Sequence, residues 1–360
     1  MKKKWLWAGV DLGVETASIC IIDDAGEVLR EGTCRAATKS VRHELASFRR
    51  TRFASVALEA GVGGHVARGL RGLGYPIVLY EARKLSKFLR VRRNKTDAGD
   101  AQGIAEAGRI GASIVSKVYL KSIDSQALQS CLAIRRHLVR QRVAAVNLLG
   151  RQIEVFGGRL RRESLGLRRK SLGLCRAVDD EIRTLFRSGP SPLIAQLRYL
   201  AEHCERLIEY ERAIDRELTQ AAHDNEVCRR FMEIPGVGPL CALSFFAAVD
   251  DPHRFSRSSD IGSYFGLAPM LRESGMTSRQ ARISKMGSKS VRSLLVHAAT
   301  IYILRSSPNY ALRNWALLLE KRRGRRPSRV ALARKLAVVM LAMWKSGDRF
   351  KPRELLPIAE

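Results

Sequence analysis

The apolar pattern of this 360-residue chain changes period near residue 120, and that change restricts the fold more than any single residue does. Before it, apolar residues come in short runs: "WLWAGVDLG" from Trp5, "ASICIIDD" from Ala17, "EVLREGTCRA" from Glu27, "SVALEA" over 55–60 and "PIVLYEA" over 76–82. Runs rich in Val, Ile, Cys and Trp, parted by turns such as Ala25-Gly26, read as strands. Segments 40–50 and 63–73 suit helices. Three antiparallel strands followed by alternating helices and strands predict a mixed sheet with helices on its faces. A further helix is expected from Thr96, its N-cap, with Asp97 and Asp100 in the first turn, where acids suit the helix dipole.

After residue 120 the spacing is helical. Ala127, Cys131, Ile134, Leu138, Ala145, Leu148 and Val155 recur at intervals of four and three, with Gln141 and Gln152 at two seam positions. A second run holds Leu193, Leu197, Leu200, Cys204, Leu207, Ile214, Leu218 and Ala221, interrupted by Glu211. Two heptad helices joined by the Gly- and Arg-rich stretch 157–192 predict an antiparallel coiled-coil hairpin, against the alternative of an ordinary bundle pair. From Phe231 a third unit begins with "EIPGVGPLCA" and closes on a basic linker, "KRRGRRPSR" at 321–329, and an amphipathic helix. The expected class is α/β plus α, with domains 1–118 (mixed sheet), 119–228 (helical hairpin) and 229–360 (mainly helical).

The chain carries 64 Lys and Arg against 35 Asp and Glu, a formal charge of +29. A compact protein with that surplus repels itself unless a polyanion neutralises it, so nucleic acid is the expected partner and an anionic membrane surface the weaker one. The run "LAVVMLAMW" at 336–344 is about half of the roughly 20 residues a spanning helix needs. Asp11 interrupts the apolar start too early for a signal peptide, and a cytoplasmic protein is expected. The seven cysteines form no C-x-x-C pair and have no His at zinc-ligand spacing, which fits reduced, packed thiols.

Four acids of the first unit invite chemistry. Asp11 lies inside an apolar strand, where a carboxylate costs energy unless compensated, and Glu59 ends a later buried strand. Asp97 and Asp100, three residues apart, share one helical face. Four converging carboxylates repel. A pair of Mg²⁺ ions, for which Mn²⁺ can substitute, would resolve this, since hard cations take oxygen ligands and two metals about 4 Å apart stabilise both oxygens of a phosphodiester exchange. The plainer reading of Asp97 and Asp100 is a helix start. "GVDLGVETA" also fits the phosphate turn of actin-like sugar kinases, although "GVGG" at 61–64 only faintly echoes their Gly-rich motif.

Nucleic-acid contacts are expected from several places. "IPGVGPLCA" resembles a helix-hairpin-helix, whose Gly236 and Gly238 would expose backbone N–H groups to a phosphate. Segment 270–290 sets serines, Ser274 among them, beside Arg272, Arg279, Arg282 and Lys285; a serine attacks phosphorus when its proton is removed and cations hold the phosphate oxygens. Basic runs at 83–95 (with Arg92, Arg93 and Lys95), 159–170 and 321–335 would line a channel. Tyr264 and Phe265 could stack bases, but read more easily as core and turn.

In combination these stretches carry a resemblance. "GVDLG", "ALEA", "KTDAGDA", "IPGVGPLCA", "FGLAP", "ESG", "RISKMG" and "VRSLLVHAA", in this order and spacing, resemble the DEDD transposases of the insertion-sequence group called IS-one-ten and the related Piv/MooV DNA invertases. The resemblance covers nearly the whole chain. It implies an N-terminal RNase H-like domain similar to the junction resolvase RuvC, a coiled coil and a C-terminal transposase domain. Asp11, Glu59, Asp97 and Asp100 match the family's acidic tetrad, and Ser274 matches the serine of its Ser-Gly. Implied in turn are recombination of donor and target DNA through that serine, a structured noncoding bridge RNA as guide, and a composite site across subunits of a homo-oligomer, dimer or tetramer. Met276, Thr277 and Ala281 depart from the family pattern around the serine. Two other readings compete: a hydrolytic junction nuclease using the same tetrad with water as nucleophile, and a packaging protein that needs no acids.

Overall fold

The computed structural model describes residues 5–61, 63–90, 96–111, 115–160, 173–185, 192–274 and 277–353, with backbone alone for the described residues among 271–282. The chain divides into two compact units, Met1–Lys121 and Ser122–Glu360.

The first unit is a six-stranded mixed sheet. Its elements are β1 (Leu6–Leu12), β2 (Thr16–Ile22), β3 (Val28–Arg35), α1 (Thr38–Leu45), β4 (Phe53–Glu59), α2 (Gly64–Gly72), β5 (Ile77–Tyr80), α3 (Ala82–Leu89), α4 (Asp97–Ile110) and β6 (Lys117–Val118). Strand order is β3-β2-β1-β4-β5-β6. The first three strands form an antiparallel meander, β4 and β5 continue parallel to β1, and β6 closes the edge antiparallel. The β2–β3 turn is held by the Asp23 carboxylate, which accepts from the N–H groups of Ala25 and Glu27, and by Gly26 at φ +88°.

Alternation along β1 decides which helix covers which face. Leu6, Ala8 and Val10 pack with Val41 and Leu45 of α1 and Val66, Ala67 and Leu70 of α2. Trp7, Gly9 and Asp11 therefore face the other layer, where Ala101 and Ala105 of α4 pack with Cys20 and Ile22. Gly9 makes that layer possible: a Cβ there would lie 2.0 Å from the Ala101 carbonyl oxygen and 2.3 Å from the Ala105 nitrogen. Further along α4, a Cβ on Gly108 would lie 2.7 Å from Ser55 Oγ. Helix and sheet thus meet backbone to backbone, and the buried Tyr80 hydroxyl donates to the Ala107 carbonyl at 2.8 Å.

The second unit is mostly helical: α5 (Ile123–Val155), α6 (Leu174–Leu185), α7 (Pro192–Asp224), α8 (Glu226–Met232), α9 (Pro239–Val249), α10 (Asp260–Tyr264), the hairpin β7 (Pro269–Ser274) and β8 (Thr277–Ile283), α11 (Lys289–Arg305), α12 (Ala311–Arg323) and α13 (Arg325–Ser346). Helices α5 and α7 pack antiparallel, because Leu132 shares a cluster with Leu218 and Ala222, while Val146, Leu149 and Ile153 share one with Leu197, Ala201 and Cys204.

The α5 seam lies one position beyond the spacing expected from sequence. Leu132, Val146, Leu149 and Ile153 face α7, whereas Cys131, Ile134, Leu148 and Val155 are exposed. The cause is a charged layer at the centre of the seam. Arg135 donates to both oxygens of Asp215, and Arg142 donates to Glu211. With those arginines taken as surface residues, the true stripe looks interrupted and the neighbouring one looks continuous.

Around α9, whose residues from Cys241 to Val249 are almost all buried, α5, α7, α8, α11 and α13 assemble the larger core. Phe231 meets Phe245 and Trp344 edge-on within it. The stretch "KRRGRRPSR" is no extended linker. It ends α12 and begins α13 across Gly324, at φ +86°, and Arg329 turns inward to pair with Glu320.

Two outcomes are expected. Gly9→Val forces α4 off the sheet and costs about 1–3 kcal/mol or more, read as a lower midpoint in urea unfolding. Glu211→Leu strands Arg142 and partly Arg135, costing about 1–3 kcal/mol at these partly exposed sites, whereas Arg142→Leu with Glu211→Leu recovers most of that loss.

Candidate active site

The site forms where strand direction, strand parity and a helix N-terminus coincide. β1 and β4 run parallel with Val10 opposite Leu58, so Asp11 and Glu59 are next in line at the same end of adjacent strands. Parity puts both on the α4 face, since Val10 and Leu58 belong to the opposite core and Ala57 belongs to the α4 side. Helix α4 runs against these strands: Ala101 and Ala105 sit over Gly9, and Gly108 sits over Trp7, Ser55 and Ala57. Its first turn therefore lies at the end that carries Asp11 and Glu59.

That first turn is well defined. Thr96 takes extended backbone angles and its Oγ1 accepts from the Gly99 N–H at 3.1 Å, the N-cap expected from sequence. Asp97 is exposed and Asp100 half-buried, both in the positive end of the helix. Two other acids of this unit have basic partners: Glu44 pairs with Arg30 and Glu106 with Arg109. Hydrogen bonding from Arg30 holds the Glu44 carboxyl below the usual carboxylate range. Glu59, Asp97 and Asp100 have no ion pair among the described residues.

The four carboxylates share one end of the sheet without closing on a common point. Among the described residues, no three His, Cys, Asp or Glu side chains come close enough to hold one ion. The donor set still fits a hard divalent cation, because it is all oxygen. Tyr80 lies behind α4 as a fixed donor, its hydroxyl pKa pushed up by burial.

Ser274 is placed by its backbone alone. It is the last residue of β7 and pairs with Thr277 at the far end of the hairpin ladder, where Arg272 pairs with Arg279. Segment 270–290 is thus largely a two-stranded hairpin. Its base is locked. A Cβ on Gly266 would lie 2.1 Å from the Met286 carbonyl oxygen, and one on Gly287 2.1 Å from that of Tyr264. Both glycines have positive φ, and Arg292 donates to the carbonyls of Phe265 and Met286. The stretches "FGLAP" and "KMG" are therefore two halves of one clasp, and Lys285 beside it also has positive φ, at +55°. Phe265 is fully buried and the Tyr264 hydroxyl donates to Ala248, so neither is free to stack on a base.

The remaining candidates divide. Gly236, at φ +89°, packs against α11, where a Cβ would lie 2.4 Å from the Ala298 carbonyl oxygen. Gly238 caps α9 in open space. Arg92, Arg93 and Lys95 lie outside the described residues, as do the side chains of Arg272, Arg279 and Arg282. Sequence reasoning did not single out Gly9, Gly266, Gly287 or Arg292. A glycine within a strand, as at Gly9, is the one available signal of close backbone approach.

A family model for the DEDD transposase domain, described as a transposase, matches residues 8–155, and a model described as the transposase IS116/IS110/IS902 family matches residues 228–314. The chain is 32% identical to a transposase for insertion sequence element IS1111A from Coxiella burnetii, over 95% of this chain and 90% of that protein. It belongs to the IS116/IS110/IS902 transposase family. The chain is also 30% identical to a transposase for element IS1328 from Yersinia enterocolitica, over 82% of this chain and 85% of the relative. A probable family 20 transposase from Pseudomonas aeruginosa is 28% identical over similar shares. As a member of this family the protein is a DNA transposase acting on DNA, and its DEDD domain points to divalent-metal use in general terms. No helix among the described residues is long and apolar enough to cross a membrane.

Replacing Asp100 with Asn leaves the Thr96 cap intact, so the unfolding midpoint is expected to stay within about 1 kcal/mol of wild type. DNA strand cleavage is expected to fall by about two to three orders of magnitude, measured on a labelled substrate.

Proposed function

We propose that this transposase cuts and rejoins donor and target DNA through a phosphoester on Ser274, with Asp11, Glu59, Asp97 and Asp100 holding Mg²⁺. The observation that carries the reading is the position of the first turn of α4 at the ends of β1 and β4, which sets four carboxylates at one end of the sheet in a strongly basic chain. Once bound there, the cation would act as a Lewis acid on a phosphoryl oxygen and neutralise charge built up in the exchange.

The chain's own groups would do the rest. Ser274 Oγ attacks phosphorus, forming an O–P bond and losing its proton to a base, while the bond to a deoxyribose oxygen breaks and that oxygen takes up a proton. The phosphodiester energy stays in the serine ester, so a second deoxyribose hydroxyl can reverse the step without ATP. The locked base of the hairpin supports this role, since a nucleophile at the end of a two-stranded ladder needs a rigid foundation.

Other parts of the proposal rest on the resemblance together with particular observations. A meander followed by parallel strands agrees with an RNase H-like, RuvC-like catalytic domain over 1–118. The turn between α8 and α9, with Gly236 at positive φ and Gly238 as cap, supports a helix-hairpin-helix contact to phosphate within the transposase domain 229–360. The exposed stripe of Ile134, Leu148 and Val155 on the hairpin of 119–228 supports a homo-oligomer. The charge of +29 suits polyanionic partners, and a structured guide RNA as second partner, with action in the cytoplasm, rests on the resemblance.

Incubation of Ser274→Ala with element-end DNA, guide transcript and Mg²⁺ is expected to yield no covalent protein–DNA adduct on denaturing gels, and chelation with EDTA is expected to abolish the wild-type adduct. Free nicked ends from the variant at the wild-type rate would instead support the hydrolytic junction nuclease.

A further inference from the structure

A groove of about 670 Å³ lies in the second unit between the N-terminal half of α5 and the first turns of α9 and α11. Its composition is one-sided. Arg136 and Arg140 contribute from α5 and Lys289 from α11, all three exposed and without an ion pair among the described residues, and no Asp or Glu lines it. Arg135 at its floor is different, because its guanidinium is committed to Asp215.

Two helix N-termini border the same groove. α9 starts at Gly238 without a side-chain cap, leaving the first-turn N–H of Leu240 uncapped. α11 starts at Ser288, whose Oγ accepts from the Val291 N–H at 3.3 Å, and Ser290 and Ser293 add hydroxyls to the lining. Ser244 of α9, 5% exposed, lines the groove and adds a hydroxyl to it.

We propose that this groove binds the sugar-phosphate backbone of one DNA strand, with Arg136, Arg140 and Lys289 on the phosphates and Ser244, Ser290 and the two helix starts supplying neutral donors. Cations at fixed spacing, unsatisfied N–H groups and hydroxyls without acids are the chemistry that phosphate oxygens select. The proposal deepens the reading of the chain as a DNA recombinase by assigning a positioning surface, and it does not depend on the carboxylate site. DNA is favoured over RNA because DNA is the substrate the family requires.

The test measures binding of the full-length protein to a fluorescent DNA duplex of mixed sequence, in EDTA so that cleavage plays no part, across a salt series. Arg136→Ala, Arg140→Ala and Lys289→Ala combined are expected to reduce the slope of log K against log salt by about two to three. Ser290→Asp provides the control for folding. A carboxylate in the first turn of α11 favours the helix, so its melting temperature is expected to equal or exceed wild type while DNA affinity falls at least about tenfold. Wild-type affinity and slope in both variants would overturn the proposal. So would an effect confined to single-stranded RNA of the same sequence, which would reassign the groove to RNA. Asp97→Asn is expected to bind DNA at least as tightly as wild type here, so failure of the groove and failure of the carboxylate site give different results.

Discussion

The contact of α4 with β1 at Gly9 is the constraint on which the first unit turns. A helix ordinarily rests on a sheet through a layer of side chains, but here its backbone comes within reach of where a Cβ on Gly9 would stand. That proximity brings the N-terminal turn down to the strand ends instead of above them. The four acids then share one end of the sheet because three independent regularities agree: the parallel pairing of β1 with β4, the alternation of side chains along each strand, and the antiparallel run of α4. None of these regularities concerns charge. The acids are held in place by apolar packing.

The second unit shows charge used in the opposite manner. At the middle of the α5–α7 seam, Arg135 and Arg142 meet Asp215 and Glu211 with side chains only 13–29% exposed. An ion pair at that depth contributes little net stability over an apolar pair. It does select a register, since sliding either helix by a heptad would set one arginine against an apolar residue and leave one carboxylate unanswered. The apolar layers on either side then need only be adequate. This agrees with the two separate clusters that the hairpin joins, one shared with the large helical core and one with α6.

The clasp formed by Gly266, Gly287 and Arg292 fixes the base of the β7–β8 hairpin. Stretches about twenty residues apart in sequence interlock through backbone contacts that no side chain would permit, and the β7–β8 hairpin rises from them. Family membership explains why such motifs occur together, and the packing explains what each is for: the glycines set the hairpin's base, and Ser274 stands at its other end. Gly236 follows the same logic, being explained by its contact with α11 before any ligand is invoked. Turn glycines that look like binding signatures are here first of all sites of close packing.

Much of this was legible in the residues. Strands, the Thr96 cap, the two long helices, the polyanionic partner class and the family resemblance follow from local signals: apolar period, turn chemistry, net charge and motif order. Ser274 could be named but not understood, since a serine among arginines has no chemistry until something fixes its position. The α5 seam was misread by one residue because Arg135 and Arg142 look like surface groups until Asp215 and Glu211, some 70 to 80 residues away in sequence, are seen to neutralise them. By itself the sequence determined which residues carry hydrophobicity and charge, and hence the elements and the partner. Only the tertiary structure decided which of them meet. Burial of a charge and approach of two backbones depend on atoms distant in the chain, and no local pattern contains that distance.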